Sequence, residues 1–489
     1  MSLIRKLASR RLQTPIAVVL GALILRLLCG VGFANYDTLY ALAWGGQLAR
    51  GEVPAYGVKI APTPHPLVEL LGVVLTPLSA RTIENVVVAL GFLALAGCGW
   101  VIYRLGREWL GKASGAFAAL ILLTRVPLLS YGTRAYIDVP YLLLVLCALL
   151  VETRRRRAGT PVLVLLALAG LLRPEAWVFS ALYWVYLTGW LPRRLRKHQI
   201  DHEPPLGRRQ LFLAALLAAS APLVWIVSDL LITGDALWSL VNTRHTAQAL
   251  SRVSGPANAV QYIPRRIGEI LRVPVLVGAA FGGIASLVWL RDRVRLGAGA
   301  GVLAVLVFAA FASAGLPIDT RYAFLTAAIL CLFCGAGAFG WLALERGSAL
   351  RRWWLIGGVA VTVAVLAYMP SQYRSANHEL SNLQRQQRIQ NDLLALVEKK
   401  AITLRCGPVG VPNHAPIPLL ALYLKASPAR IVSAQSTQIS SGTFIDPANA
   451  EVQNDYILDP NDPPPREVTP PPGFKASATS RSWLIFEKC

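Results

Sequence analysis

Apolar stretches long enough to cross a bilayer recur along this chain, at residues 14–34, 82–103, 113–130, 138–152, 211–233, 273–290, 297–314, 321–344 and 353–369. Backbone placed in about 30 Å of hydrocarbon has no water to bond, so such segments are confined to helices. The region 159–191 reads as two further helices meeting at Arg173-Pro174-Glu175, because a proline between two charges would not face lipid at mid-depth. The expected membrane part is therefore an all-α polytopic domain of about eleven spans. A composition of 55% hydrophobic and 15% charged residues agrees, lying far from the soluble balance.

A net charge of +22 in a soluble domain would point to nucleic acid. Here the basic residues gather in alternate connections, which excludes that reading. Arg5, Lys6, Arg10 and Arg11 precede the first span. Arg104, Arg107 and Lys112, then Arg154 to Arg157, then Arg193, Arg194, Arg196, Lys197, Arg208 and Arg209 follow, with Arg291, Arg293, Arg295, Arg346, Arg351 and Arg352 closing the series. The positive-inside bias makes these loops cytoplasmic, and the alternation holds only if Arg173–Glu175 is a turn between spans. The expectation is a multi-pass plasma-membrane protein with a cytoplasmic amino terminus and an extracytoplasmic carboxy-terminal part. The first apolar run is span-length with no cleavage site behind it, so no cleavable signal is expected.

Residues 1–370 form the expected membrane domain, and 371–489 a small soluble α/β domain, since charge and polarity rise there and no segment is long enough to span. A helix is expected over 375–400 and another over 416–425, with strands at 401–411, 430–434, 454–458 and 480–487. Pro463-Pro464-Pro465 and Pro470-Pro471-Pro472 make an extended, stiff loop. Cys406 and Cys489 fall in this extracytoplasmic part, where disulfides persist, and are expected to pair. Cys29, Cys98, Cys147, Cys331 and Cys334 lie in spans, where small apolar packing is their expected role despite the Cys-x-x-Cys spacing of the last two.

Charged residues in the extracytoplasmic loops are few enough to weigh singly. Asp37 follows the first span, at a hydrocarbon boundary where an ionised carboxylate is costly unless solvated or paired. It reads either as a functional group or as the cap of a helix over 38–50. A surface helix from Asp37 to Leu48 would turn Leu39, Ala43 and Leu48 to lipid, and a second apolar helix over 66–78, too short to cross, would lie beside it, the two roofing a cavity. Asp138, two residues before Pro140, is either a second functional carboxylate or the cap of the fourth span. Arg134, Arg173, Arg244, Arg252, Arg265, Arg266 and Arg321 are the available cations. Arg321 beside Tyr322 opens a span where a phosphate headgroup would rest, although an interfacial anchor fits the same position. Arg173 and Glu175 either satisfy a buried turn as a local pair or belong to a site. Arg26, inside the first span, is read as snorkelling.

Six local patterns, in this order and on these sides, resemble the GT-C superfamily of membrane glycosyltransferases over most of residues 1–370. They are Tyr36-Asp37 at the exit of the first span followed by Tyr40, Gly51 and Tyr56; Pro64-His65-Pro66 before an interfacial helix; Arg134 to Pro140; Leu172-Arg173-Pro174-Glu175; Thr233-Gly234-Asp235 with Trp238-Ser239-Leu240; and Arg321-Tyr322. The soluble carboxy-terminal domain fits too, as in protein-mannosyltransferase-like and lipid A sugar transferase-like members. Many members carry two adjacent acidic residues at the first position, whereas here Thr38 follows Asp37.

The resemblance implies an inverting transfer of a monosaccharide from a polyprenyl-phosphate donor to an extracytoplasmic glycan, lipid or protein acceptor, with Asp37 as the base. Lipid phosphate leaves without needing a proton, so one carboxylate suffices, and arginine, whose planar fork matches phosphate, is the expected counter-charge. Asp138 is the second catalytic candidate, and Tyr36, Tyr56, His65, Arg134, Arg173, Glu175, Arg244, Arg321 and Tyr322 are candidates for donor or acceptor binding. Some relatives use a divalent metal, which Asp37, Asp138 and His65 would have to gather, but their spacing carries no metal signature, and no cofactor is firmly implied. The rival reading is a transporter or flippase of lipid-linked sugars, which would place charges at mid-membrane depth in several spans and would not need Asp37.

Overall fold

A computed structural model describes residues 2–189, 207–457 and 469–489, with the side chains of 2–12, Asp455 and Ile457 excepted. The basic residues Arg193, Arg194, Arg196 and Lys197 and the first proline run, 463–465, lie outside the described residues, as do the side chains of Arg5, Lys6, Arg10 and Arg11.

The regular structure of the membrane part is helical among the described residues. In chain order it comprises α1 (Ser2–Cys29), α2 (Tyr36–Ala49), α3 (Pro66–Leu75), α4 (Ala80–Leu110), α5 (Lys112–Leu123), α6 (Val126–Thr133), α7 (Asp138–Arg154), α8 (Thr160–Gly170) and α9 (Glu175–Thr188). After the undescribed stretch come α10 (Arg208–Thr233), α11 (Trp238–Ala249), α12 (Pro256–Trp289), α13 (Arg291–Ser313), α14 (Phe324–Phe339) and α15 (Ala349–Glu398). Among the described residues six helical segments are long and apolar enough to cross a membrane, and a seventh arises if α5 and α6, bent by 65°, count as one span. The apolar part of α1, Gln13–Cys29, and α7, α8 and α9 are shorter than the about 20 residues a crossing needs, and the expected eleven includes all four.

Proline and glycine set the local geometry. Pro127 starts α6 at the α5–α6 bend, and α8 and α9 break at Leu171–Pro174, where the turn was expected. In α12 the backbone kinks at Arg272, with φ of 65°, two residues before Pro274, which cannot donate to the helix ladder. The apolar span expected at 273–290 begins there. A Cβ on Gly282 would run into the Phe333 carbonyl and one on Gly337 into the Gly278 carbonyl, so α12 and α14 pack backbone to backbone, as small residues permit between membrane helices.

The helix expected to begin at 375 is instead the continuation of a span. α15 runs unbroken for 50 residues, about 75 Å, from the bundle into the carboxy-terminal domain with Pro370 inside it. The composition shift at 371 marks a change of surroundings, and the backbone carries through it because the polar residues beyond are good helix formers. On its far end sits a five-stranded sheet of order β2-β1-β3-β5-β4, with β1 (Val409–Val411), β2 (Ile431–Ser433), β3 (Gly442–Pro447), β4 (Lys475–Thr479) and β5 (Trp483–Lys488). β1 pairs parallel to β2 and β3, and β5 pairs antiparallel to β3 and β4. One helix, α16 (Ile417–Tyr423), precedes β2. The strand expected at 454–458 is a wide helical turn over Gln453–Ile457, with Tyr456 edge-on to Trp483 at 5.8 Å, so tertiary packing overrides its apolar pattern. β3 and β4 lie where no alternation announced a strand.

Trp483 Nε1 donates to the Ile389 carbonyl at 3.0 Å and the Ser482 hydroxyl meets the Asp392 carboxylate, seating the sheet on α15. Cys406 and Cys489 are bonded across 83 residues of sequence and fasten the end of the chain to the sheet domain. Closing a loop of that size removes about 4 kcal/mol of unfolded-state entropy. Reduction is therefore expected to lower the melting temperature of this domain, read by a thermal scan with and without reductant, while α15 stays helical.

α2 does not lie on lipid as expected. Leu39 and Ala43 are 3% and 5% exposed, and only Leu48, at 41%, is open. α2 is packed between α3 on one side and α16 on the other. A Cβ on Gly45 would collide with the Glu69 carbonyl, and Gly72 lies against the Leu42 backbone, so α2 and α3 also meet backbone to backbone.

Candidate active site

Asn35, in extended conformation, caps α2: its side-chain oxygen accepts from Thr38 N at 2.7 Å, and its own N–H donates to the Arg134 carbonyl at 2.9 Å. The capping role weighed for Asp37 thus belongs to its neighbour. Asp37 sits within the first helical turn and its carboxylate is released for a distant partner, Arg321, whose Nη1 donates to Oδ2 at 2.7 Å. Both side chains are about one-sixth exposed, at 16% and 17%. Arg321 stands on a single 3-10 turn, Thr320–Ala323, entered through Asp319. The Asp319 carboxylate lies 3.6 Å from Arg321 Nε and 3.0 Å from Arg252 Nη1.

Burial alone would raise the Asp37 carboxyl. The Arg321 guanidinium, assisted by Arg252, outweighs it and holds the group below the ordinary carboxylate range, so Asp37 is charged at neutral pH. His65 is buried and its Nδ1 lies 2.9 Å from the Leu172 carbonyl, which assigns the proton to Nδ1 and leaves Nε2 as an acceptor. Burial pushes its pKa down to about 4, against the pull of Asp37, so the ring is neutral.

A second charged group lies beside this pair. α7 starts at Asp138 without any side-chain cap, and the Asp138 carboxylate instead meets Arg173 Nη1. The cap reading falls here as well. Arg173 also grips Glu175, through Nε at 3.2 Å to both oxygens and Nη2 at 2.6 Å. All three residues are buried, at 1%, 6% and 7% exposure. The Tyr322 ring centroid lies 4.3 Å from the Arg173 guanidinium carbon and 5.6 Å from that of Arg321, and so the ring joins the two charged groups. Arg173, Glu175, Arg321 and Tyr322 form the polar mouth of a cleft whose wall is Phe179, Val307, Phe308 and Phe311. Its free space, about 20 Å³, takes roughly one water.

Charge counting predicts unequal effects within the buried triad. Asp138→Asn leaves a neutral Arg173–Glu175 pair and is expected to cost about 1 kcal/mol. Arg173→Leu leaves two carboxylates facing each other in a dry site and is expected to cost about 3–5 kcal/mol. Melting temperatures of the two variants in one detergent check the order.

The remaining candidates divide. Tyr36 OH donates to the Ile60 carbonyl at 3.1 Å, and its ring is edge-on to Tyr40 and to His414 of the carboxy-terminal domain. Tyr56 OH donates to Glu69 at 2.6 Å, and burial pushes the Glu69 carboxyl up to about 7. Arg134 donates to Ser130 and lies over the Tyr136 ring at 4.9 Å, and Arg244 donates to the Ala314 carbonyl at 2.7 Å. The structure brings Asp37, His65, Asp138, Arg173, Glu175, Arg321 and Tyr322 together. The hydrogen bonds given above for Tyr56, Arg134 and Arg244 run to groups other than the Asp37–Arg321 pair. Sequence reasoning missed Asp319, two positions before Arg321, and the buried acids Glu69 and Glu84. Each is a carboxylate at the edge of an apolar run, the signal that singled out Asp37. Among the described residues no group of three His, Cys, Asp or Glu is placed to hold a metal ion.

No family model matches the chain, and no curated protein sequence matches it. Solved structures do. ArnT from Cupriavidus metallidurans bound to undecaprenyl phosphate superposes with a TM-score of 0.54 at 13% identity, covering 97% of this chain and 98% of that one. The same protein in the apo state gives 0.56 at 14% identity, with 98% of both chains covered. A fainter likeness, TM-score 0.45 at 10% identity over 87% of this chain and 64% of the other, is to the archaeal oligosaccharyltransferase AglB from Archaeoglobus fulgidus with an inhibitory peptide and a dolichol-phosphate. The fold of this chain is therefore similar to that of ArnT.

Proposed function

We propose that this chain is an inverting glycosyltransferase of the plasma membrane that moves a monosaccharide from a polyprenyl-phosphate donor to a glycan, lipid or protein acceptor on the extracytoplasmic side. The observation that carries the reading is the Asp37–Arg321 pair, whose arginine lines a cleft with an aromatic wall. It stands in a fold shared with a protein solved with undecaprenyl phosphate bound.

The chemistry follows from the groups present. Asp37 accepts the proton of an acceptor hydroxyl, whose oxygen attacks the anomeric carbon. The bond from that carbon to the phosphate oxygen breaks, and the lipid phosphate departs with the electron pair. Arg321 and Arg173 are the cations within reach of its charge, and Tyr322 holds both guanidinium planes. Each guanidinium is already engaged by carboxylates, so the donor phosphate competes with Asp37 for Arg321, and the cleft, one water wide, opens as the headgroup enters. Phe179, Phe308 and Phe311 offer an apolar path for the isoprenoid. His65, neutral with a bare Nε2, is placed to accept from a sugar hydroxyl.

Sidedness is supported by charge placement. Arg104 and Arg107 stand at the opposite end of α4, a helix of 31 residues, from Glu84, which contacts the segment before Asp37. This supports an extracytoplasmic Asp37 and sheet domain. Against translocation, the buried Asp138, Glu152 and Asp229 each lie within about two turns of a helix end, and Arg125, buried at the α5–α6 bend, is held by the Ile121 and Leu271 carbonyls at 3.0 Å. The test is transfer of labelled sugar from a polyprenyl-phosphate donor by purified protein. Passage of the lipid-linked sugar across liposomes without any transfer would favour the transporter instead.

A further inference from the structure

The segment that delivers Asp37 has no secondary structure of its own. Between the end of α1 and the start of α2, residues 30–35 are irregular, and their backbone groups are satisfied by other parts of the molecule. Phe33 N donates to the Thr133 carbonyl at 3.2 Å and Asn35 N to the Arg134 carbonyl at 2.9 Å. The Gly32 carbonyl accepts from Gln387 Nε2 of α15 at 2.6 Å. Val31 and Phe33 pack with Leu383 of α15. Ala34 N is taken by a side chain, Glu84 Oε1, at 3.2 Å.

Glu84 is 5% exposed, on the first turns of α4. Its second oxygen, Oε2, accepts from the Tyr423 hydroxyl at 2.5 Å. Tyr423 is the last residue of α16, the helix of the carboxy-terminal domain that packs on α2. The Arg81 guanidinium lies over the Tyr423 ring at 5.6 Å and 4.0 Å from Glu84, shielding the bond from water. One buried carboxylate thus bridges the backbone three residues before Asp37 and a side chain of the carboxy-terminal domain.

We propose, resting on the glycosyltransferase reading, that Glu84 and Tyr423 are positioning residues through which the carboxy-terminal domain holds the Asp37 segment in its reactive placement. Proton transfer falls steeply when a base is displaced by an ångström, and a base on a helix start fed by an irregular segment needs such an anchor. A carboxylate suits the task because its two oxygens accept charge-assisted bonds from two sides at once. Two other seats of the domain, Asp392–Ser482 and Trp483–Ile389, bind the sheet to α15 away from residues 30–37, whereas His414 meets the Tyr36 ring edge-on at 5.4 Å as a further contact with the segment.

That separation supplies the control. Full-length protein in nanodiscs is compared as wild type, Tyr423→Phe, Glu84→Gln, the double variant and Asp392→Asn, for sugar transfer, melting temperature and hydrogen exchange over residues 30–37. Expected for Tyr423→Phe are a kcat about tenfold lower, a donor KM unchanged within about twofold, a melting temperature close to wild type and faster exchange over 30–37. Because both groups act through one bridge, the double variant should be no worse than the worse single variant. Asp392→Asn should lower melting and leave kcat alone. Loss of kcat in proportion to loss of melting temperature across all variants, Asp392→Asn included, overturns the proposal, as does Tyr423→Phe with exchange and kcat unchanged. If the wild type transfers no sugar, the glycosyltransferase reading fails, and the exchange data still decide the bridge.

Discussion

Asp37→Asn is expected to lower kcat for sugar transfer by about a thousandfold or more, with donor KM unchanged or smaller. Asparagine keeps the size of the side chain and can still accept from Arg321 Nη1, so packing at the start of α2 is preserved. What disappears is the ability to take a proton, and general-base catalysis is worth about 10²–10⁴-fold. The direction expected for KM comes from the ion pair. In the wild type, donor phosphate must draw Arg321 away from a full negative charge 2.7 Å distant. In the variant the competitor is a neutral amide, so phosphate binds at least as well. The measurement is steady-state transfer with purified protein at saturating acceptor. Transfer within tenfold of wild type would remove Asp37 from the chemistry.

Arg321→Gln is expected to lower kcat/KM by about 10²–10³-fold and to move the acid limb of its pH profile upward. The first effect is loss of a charged donor to the leaving phosphate. The second concerns Asp37. In the wild type Arg321 holds the Asp37 carboxyl below its ordinary range against the opposing effect of burial. Remove the guanidinium and burial is left dominant, so the carboxyl rises and protonates at a pH where the wild type is still ionised. The sign for stability is consistent: a depressed carboxyl stabilises the fold above its unfolded pKa, and that contribution fades as pH falls through the folded value. Profiles of kcat/KM from mildly acidic to mildly basic pH check it. A variant whose acid limb stays put would show that Asp37 is not the titrating base. Arg321→Lys, which restores charge without the planar fork, should recover the limb but only part of the rate.

Much of the membrane architecture was legible because hydropathy is a local property. A run such as 211–233 must be a helix whatever surrounds it, and α10 is there. The turn at Leu172–Glu175 was legible for the same reason, as was the Cys406–Cys489 bond, which needed only a shared compartment. α2 was misjudged because its apolar residues were assigned to lipid, whereas α16, from a domain almost 400 residues onward, covers them. Amphipathicity states that a face is apolar and does not say what covers it. β3 escaped notice since its segment, Gly442–Pro447, lacks alternation and is buried along most of its length between β1 and β5.

The candidate site divides in the same way. Asp37, Arg173, Glu175 and Arg321 stood out singly as charges at hydrocarbon boundaries, where each costs energy unless it is used. Asp319 and Glu84 carried that signal too and were passed over for lack of a partner in view. By itself the sequence determined a helical membrane protein with an α/β carboxy-terminal part, and a short roster of charges set at the ends of its apolar runs, because burial in lipid is priced residue by residue. Only the tertiary structure decided that Arg321, 284 positions away, is the guanidinium that meets Asp37, that Asp138 belongs to Arg173, and that Asn35 does the capping. Pairing depends on which helix ends the packing of the whole bundle brings within 3 Å, and no local pattern encodes that distance.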